Sequence, residues 1–173
     1  MAYKVLNNVS LKDVTKSGLA GLKTDLLVLV INKNTKNNSA FKDLNKISKN
    51  YISQTIQSHL KENGSSILLP KINGVSALNV LLVKGIEASQ PTHKWLSMYQ
   101  SIAQKGNNIK AKDITVMPGK ISPKGKDEMW LIEMVAKTIE SNVYIFSETK
   151  NKTVQKPSVK KLSILVQTFQ KQI

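Results

Sequence analysis

The chain has 173 residues, of which 40% are hydrophobic, and it contains no cysteine. That is one domain of ordinary size with enough apolar material for a core, and it excludes a disulfide framework, a thiol nucleophile and any cysteine-ligated zinc or iron–sulfur site. Its 26 basic residues against 11 acidic ones give a net charge of +15, and every basic residue is lysine. The 15 asparagines alongside them are what an AT-rich coding sequence writes, and codon usage takes the larger share of the explanation. A polyanionic partner is the other reading. Without arginine, such binding is directed at phosphate and is salt-sensitive.

The first ten residues, MAYKVLNNVS, show no signal-peptide apolar region, and the longest apolar run, residues 26–31, is too short to span a bilayer. A cytoplasmic protein with no membrane partner is expected. Residues 3–9 read as a short strand. Residues 25–31, DLLVLVI, have the continuous apolar pattern of a strand covered on both faces. The NKNTKNN stretch at 32–38 reads as a polar loop. Ser39 is placed to cap one helix reaching about residue 60, with Phe41, Leu44, Ile47, Tyr51, Ile52, Ile56 and Leu60 on its apolar face and Gly64 as a stop. Residues 66–69 and 78–83 read as strands joined through an Asn73-Gly74 turn.

Pro91 opens a second helix with Trp95, Met98, Tyr99 and Ile102 inward and Gly106 at its end. Residues 113–117 form a strand stopped by Pro118-Gly119. Asp127 starts a third helix whose core face carries Met129 or Trp130, Ile132, Val135, Ala136 and Ile139, and residues 162–166 form a last strand. Strands alternating with helices predict an α/β sandwich with a mixed, largely parallel sheet. The lysine-rich stretch 148–161, ETKNKTVQKPSVKK, is a shift in composition. It divides the chain into a unit at 1–147 and a link plus last strand at 148–173.

No catalytic constellation emerges. His59 and His93 lie at opposite ends of different helices without a second metal ligand at a useful spacing. Asp127, Glu128, Glu133 and Glu140 sit on or near one helix: Asp127 and Glu128 suit its positive end, Glu133 and Lys137 are an ordinary i,i+4 pair, and a paired general acid and base is the weaker reading. The chain lacks a nucleophile elbow, a P-loop and a GxGxxG segment, and Gly18 and Gly21 precede the buried strand instead of following it. MPGKISPKGK offers Gly119, Lys120, Lys124, Gly125 and Lys126 to an anion, although a solvated lysine-rich loop is the stronger reading. The helical spacing of Trp95, Tyr99 and Trp130 favours core packing over base stacking. Catalytic and metal-ligating residues are therefore assigned to none. Lys150, Lys152, Lys156, Lys160 and Lys161 form the candidate phosphate-contacting patch for nucleic acid.

Four segments, in order, carry a resemblance. DLLVLVINKNTK is similar to a buried strand leading into a polar turn. LNKISKNYISQTIQSHLKENGSSILLP is similar to a helix, a glycine-containing link and a Leu-Leu-rich strand. ALNVLLVKGIEASQPTHKWLSMYQSIAQKGNNIKAKDITVMP resembles a strand, helix and strand. EMVAKTIESNVYIFSETKNK resembles a helix ending in an aromatic and lysine pattern kept by Tyr144, Phe146, Lys150 and Lys152. Together they resemble the N-terminal domain of the leucyl (cytosol) aminopeptidase family over nearly the whole chain. Asn45 and Asn50 stand where that family usually has aspartate and glycine, Lys84 and Glu87 where it has glycines, and Ser147 where it has aspartate.

The resemblance implies a three-layer, macro-domain-like α/β/α fold. It also implies a non-catalytic accessory and assembly domain of a metal-dependent peptidase that releases N-terminal amino acids. The family's two divalent ions, zinc or manganese, belong to a C-terminal domain whose Asn-Thr-Asp-Ala-Glu-Gly-Arg signature needs an arginine that this chain lacks. The chain is then expected to hold no cofactor and not to be an enzyme by itself. Its partners would be a catalytic domain and neighbouring subunits of a homo-hexamer. Two alternatives stand beside this reading: a DNA-binding module acting through lysine–phosphate contacts, and an ADP-ribose-type ligand site suggested by the fold.

Overall fold

Apolar side chains alternate along strand β2 (Leu26–Ile31) and divide the interior in two. Leu26, Val28 and Val30 enter one core, and Leu27, Leu29 and Ile31 enter the other. A computed structural model describes residues 8–13, 18–119, 121–149 and 159–166. Around β2 it arranges six strands in one sheet, in the order β1 (Asn8–Asp13), β6 (Lys161–Val166), β5 (Asp113–Met117), β2, β4 (Asn79–Lys84), β3 (Ser66–Pro70). All neighbours run parallel except β3, which pairs antiparallel with β4 at the edge. Helices cover both faces, so the chain is the expected three-layer α/β/α sandwich.

On one face lie α1 (Lys33–Asn37), α2 (Ser39–Ile47) and α3 (Tyr51–His59). Phe41, Leu44, Ile52 and Ile56 there meet Leu27, Leu29, Val80 and Leu82 of the sheet. Residues 32–38 are thus not a plain loop: Asn32 Oδ1 accepts from Thr35 N at 2.9 Å and caps the short α1. The single helix expected from residue 39 to 60 is two. Lys49 and Asn50 take left-handed φ values of 56° and 64°, which ends α2 and re-aims the chain into α3. The break turns Ile47 and Tyr51 outward, 44% and 48% exposed, although helical spacing put both on the buried face. The cap of α2 is Asn38, not Ser39, with its side chain accepting from Ala40 N at 2.8 Å. Gly64 (φ +79°) lies beyond the end of α3, in the turn that enters β3.

The opposite face carries α4 (Thr92–Asn108) and α5 (Glu128–Thr149). Trp95, Met98, Tyr99 and Ile102 are buried as their spacing predicts. Gly106 does not end α4. It is buried, and a Cβ there would meet Ile114 Cδ1 at 2.5 Å, so it lets the helix lie close on β5. Asp127 caps α5, accepting from Trp130 N at 2.8 Å. The core face of α5 runs through Leu131, Met134, Val135 and Ile139, whereas Met129 is 60% exposed and Trp130, Ile132 and Ala136 are half-buried. Apolar residues on nearly every side of this helix hide its phase from a periodicity argument.

At the N-terminal ends of the central strands, Asp113 Oδ1 accepts from Asp25 N at 2.6 Å and from Thr24 Oγ1 at 3.2 Å. Asp25 Oδ2 in turn accepts from Lys112 N at 2.7 Å. These contacts fix the starting register of β2 against β5. Strand β1 is Asn8–Asp13, while residues 3–7 of the expected first strand lie outside the described residues. The boundary drawn after residue 147 set residues 162–166 apart from the N-terminal unit. The structure seats β6 between β1 and β5, with Leu162, Ile164 and Leu165 buried. Most of the lysine-rich link lies outside the described residues.

Candidate functional site

The chain leaves neighbouring parallel strands β2 and β4 toward opposite faces of the sheet. After β2 it passes to α1, α2 and α3 on one side, and after β4 it passes to α4 on the other. A crevice therefore opens at the carboxyl ends of these two strands, the place where open α/β sheets bind ligands. A cavity of about 580 Å³ occupies it. Ile31, Ile56, Leu60 and Ile86 supply apolar walls, and Asn32, Gln57 and Asn63 supply amides. Lys33, Lys36, Lys84 and Glu87 supply charge.

The backbone under the cavity is tightly held. Gly85 N donates to Ile31 O at 2.9 Å, joining the ends of β4 and β2. A Cβ on Gly85 would stand 3.1 Å from Ile31 O and 3.3 Å from Val30 Cγ1, so a larger residue would press on the cavity floor. Thr35 Oγ1 is buried and donates to Val30 O at 2.6 Å, anchoring α1 over the end of β2. Lys33 and Lys36, three apart on α1, are both exposed. The Lys84 ammonium donates to Lys61 O at 2.5 Å. On the β5 side Gly119, with φ +74°, packs so closely on Asn32 that a Cβ there would collide with its Nδ2.

The residues singled out from the sequence fall elsewhere. Lys160 and Lys161 are exposed at the start of β6, while Lys150, Lys152 and Lys156 lie outside the described residues. In the MPGKISPKGK loop, Gly119 packs on Asn32, Lys120 lies outside the described residues, and Lys126 Nζ sits 5.5 Å from the centre of the Trp130 ring. His59 and His93 are exposed. Among the described residues no group of three or more His, Cys, Asp or Glu is placed to hold a metal ion, and no helix is long and apolar enough to cross a membrane. Sequence reasoning passed over Lys33, Lys36 and Lys84. The available signal was the position of NKNTKNN directly after the most apolar strand, with lysines at i and i+3.

A family model described as the N-terminal domain of the cytosol aminopeptidase family matches residues 27–153. No curated protein sequence matches the chain. Among solved structures, a mutant of tomato leucine aminopeptidase is similar at TM-score 0.65 and 21% identity, over 97% of this chain and 34% of that one. A Trypanosoma brucei macrodomain in complex with ADP-ribose is similar at TM-score 0.68 and 11% identity, over 95% of this chain and 66% of that one. The macro domain of ganglioside induced differentiation associated protein 2 gives TM-score 0.65 and 15% identity, over 95% and 79%. At these identities the likenesses show the fold, which is macro-like. The chain spans about a third of the length of the tomato enzyme.

Proposed function

Because the chain belongs to the cytosol aminopeptidase family, as that family's N-terminal domain, we propose that it serves a metal-dependent aminopeptidase as a non-catalytic accessory and assembly domain. The family match over residues 27–153 carries this reading. Its action is positional: it packs outside a catalytic region, joins subunits of a homo-hexamer and restricts access to the interior. The two divalent ions implied by the family find no ligand set among the described residues, so on this proposal they are held by the catalytic region and no step of the chemistry passes through this chain's side chains. An antibody to this domain, used on cytoplasmic extracts fractionated by native size, tests the proposal. A polypeptide more than twice 19.2 kDa, eluting as a hexamer with leucyl-peptide hydrolysis in the same fractions, is the expected result. A free chain of 19.2 kDa in fractions without peptidase activity overturns it.

A second reading rests on the cleft at the ends of β2 and β4. The fold is similar to a macrodomain described in complex with ADP-ribose, and the cleft lies where such a sheet receives ligands. A ligand bound only to the native state raises its stability. ADP-ribose or a smaller phosphorylated compound is therefore expected to raise the melting temperature with increasing concentration.

A further inference from the structure

Resting on this second reading, we propose that the cleft between β2 and β4 is a phosphomonoester site. Lys33, Lys36 and Lys84 hold the phosphate, and Ile31, Ile56, Leu60 and Ile86 receive the apolar or aromatic body of the ligand. The volume of about 580 Å³ falls within the usual range for small-ligand sites. Three lysines against Glu87 leave a net lining charge of +2 (three minus one). A phosphomonoester near neutral pH carries a charge of roughly −1.5 to −2, which is the complement. Lysine acts as a flexible point charge and suits a terminal phosphate, whereas bidentate clamping belongs to arginine.

The surroundings restrict the ligand further. Toward β5, Gly119 packs against Asn32 and the Thr35 hydroxyl is bound to Val30 O, which narrows the room there for a second phosphate. Lys84 stands at the end of β4, and Lys33 and Lys36 stand on α1 above the end of β2, so the charge gathers over these two strand ends. Glu87, the one acidic group lining the cavity, repels a second phosphate and accepts from a hydroxyl. The class of ligand is therefore a single phosphate on a hydroxylated, partly apolar body, as in a nucleoside monophosphate.

Calorimetric titration of the chain with adenosine 5′-monophosphate, adenosine, inorganic phosphate and ADP-ribose tests this, at low and moderate salt. The monophosphate is expected to bind at least roughly tenfold more tightly than adenosine, in line with a charge-assisted hydrogen bond, and to weaken as salt rises. Lys33 and Lys36 are exposed, so the double variant K33A/K36A is expected to keep the native circular dichroism spectrum and to lose that tenfold advantage. A second variant, Lys84→Gln, is expected to weaken the monophosphate and not adenosine. Equal binding of monophosphate and adenosine, or an unchanged advantage in K33A/K36A, overturns the proposal. ADP-ribose binding that is tighter than the monophosphate and indifferent to these lysines overturns it while leaving the ligand reading intact. No binding of any of the four compounds overturns both.

Discussion

Tyr99 shows how local composition becomes a measurable property. Its ring is fully buried on α4. Neither its hydroxyl nor the indole nitrogen of Trp95, one turn earlier, has a hydrogen-bond partner among the described residues. Burial pushes the phenol well above its ordinary value, because the interior disfavours the charged form. A hydroxyl without a partner has lost water and gained nothing, so Tyr99→Phe is expected to leave stability unchanged or to raise it by up to about 1 kcal/mol. Chemical denaturation checks this. The pH dependence follows from the sign of the shift. The folded state keeps the phenol proton while the unfolded chain releases it above roughly pH 10. The contribution of this group is therefore complete below that pH and is lost as pH rises further. Unfolding curves between roughly pH 9 and 11 are expected to fall less steeply for Tyr99→Phe than for the natural chain. At this scale the core aromatics were readable from spacing, whereas the cleft lysines were not. In a chain with 26 lysines no single lysine stands out, and only the fold brings Lys33, Lys36 and Lys84 together.

The break between α2 and α3 gives physical content to two departures from the family pattern. Asn45 stands where the family usually has aspartate, and its Oδ1 accepts from Ser53 N at 3.0 Å, across the break. It thereby caps α3, whose own N-cap residue Asn50 makes no side-chain cap bond. Asparagine performs here the acceptor role of a carboxylate. Asn50, where the family has glycine, takes the left-handed conformation that asparagine tolerates better than most residues. Asn45→Ala is expected to cost about 1 kcal/mol, and Asn45→Asp to retain most of that, as read from urea midpoints. The break itself was invisible to periodicity. Leu44 and Ile52 are both buried on the same sheet face, and their eight-residue separation also fits an uninterrupted helix. The exposure of Ile47 and Tyr51 is the cost of re-aiming the chain.

For the whole molecule, the alternation of apolar strands and amphipathic helices made the sandwich and its parallel sheet legible, because each buried strand needs cover on both faces. The strand order was not legible, since no local pattern encodes which strands are neighbours. The composition of the lysine-rich stretch before the last strand is that of a linker and sets residues 162–166 apart from the unit before it. In the sheet that last strand is an interior strand between β1 and β5. Deleting residues 148–173 is therefore expected to abolish folding, not to trim an appendage. Removal of Leu162, Ile164 and Leu165 opens both cores and leaves β1 without a partner. Far-ultraviolet circular dichroism and amide exchange on the 1–147 fragment check this, against a cooperative transition in the full chain.

The pairing of β1 with β6 also sets a timetable for synthesis. The hydroxyls of Ser10 and Ser163 meet at 3.2 Å although 153 positions separate them. At 5–20 residues per second a ribosome needs roughly 8–30 s to deliver the second of these after the first. Throughout that interval β1 lacks β6, and once Met117 completes β5 the edge that β6 will cover stays bare for the 46 residues from 117 to 163, roughly 2–9 s at the same rate. Contacts so distant along the chain also form slowly once both ends are available. Strand β1 is thus among the last of the described strands to be locked. Until β6 arrives the nascent chain carries an open, apolar sheet edge, the kind of surface for which holding chaperones compete.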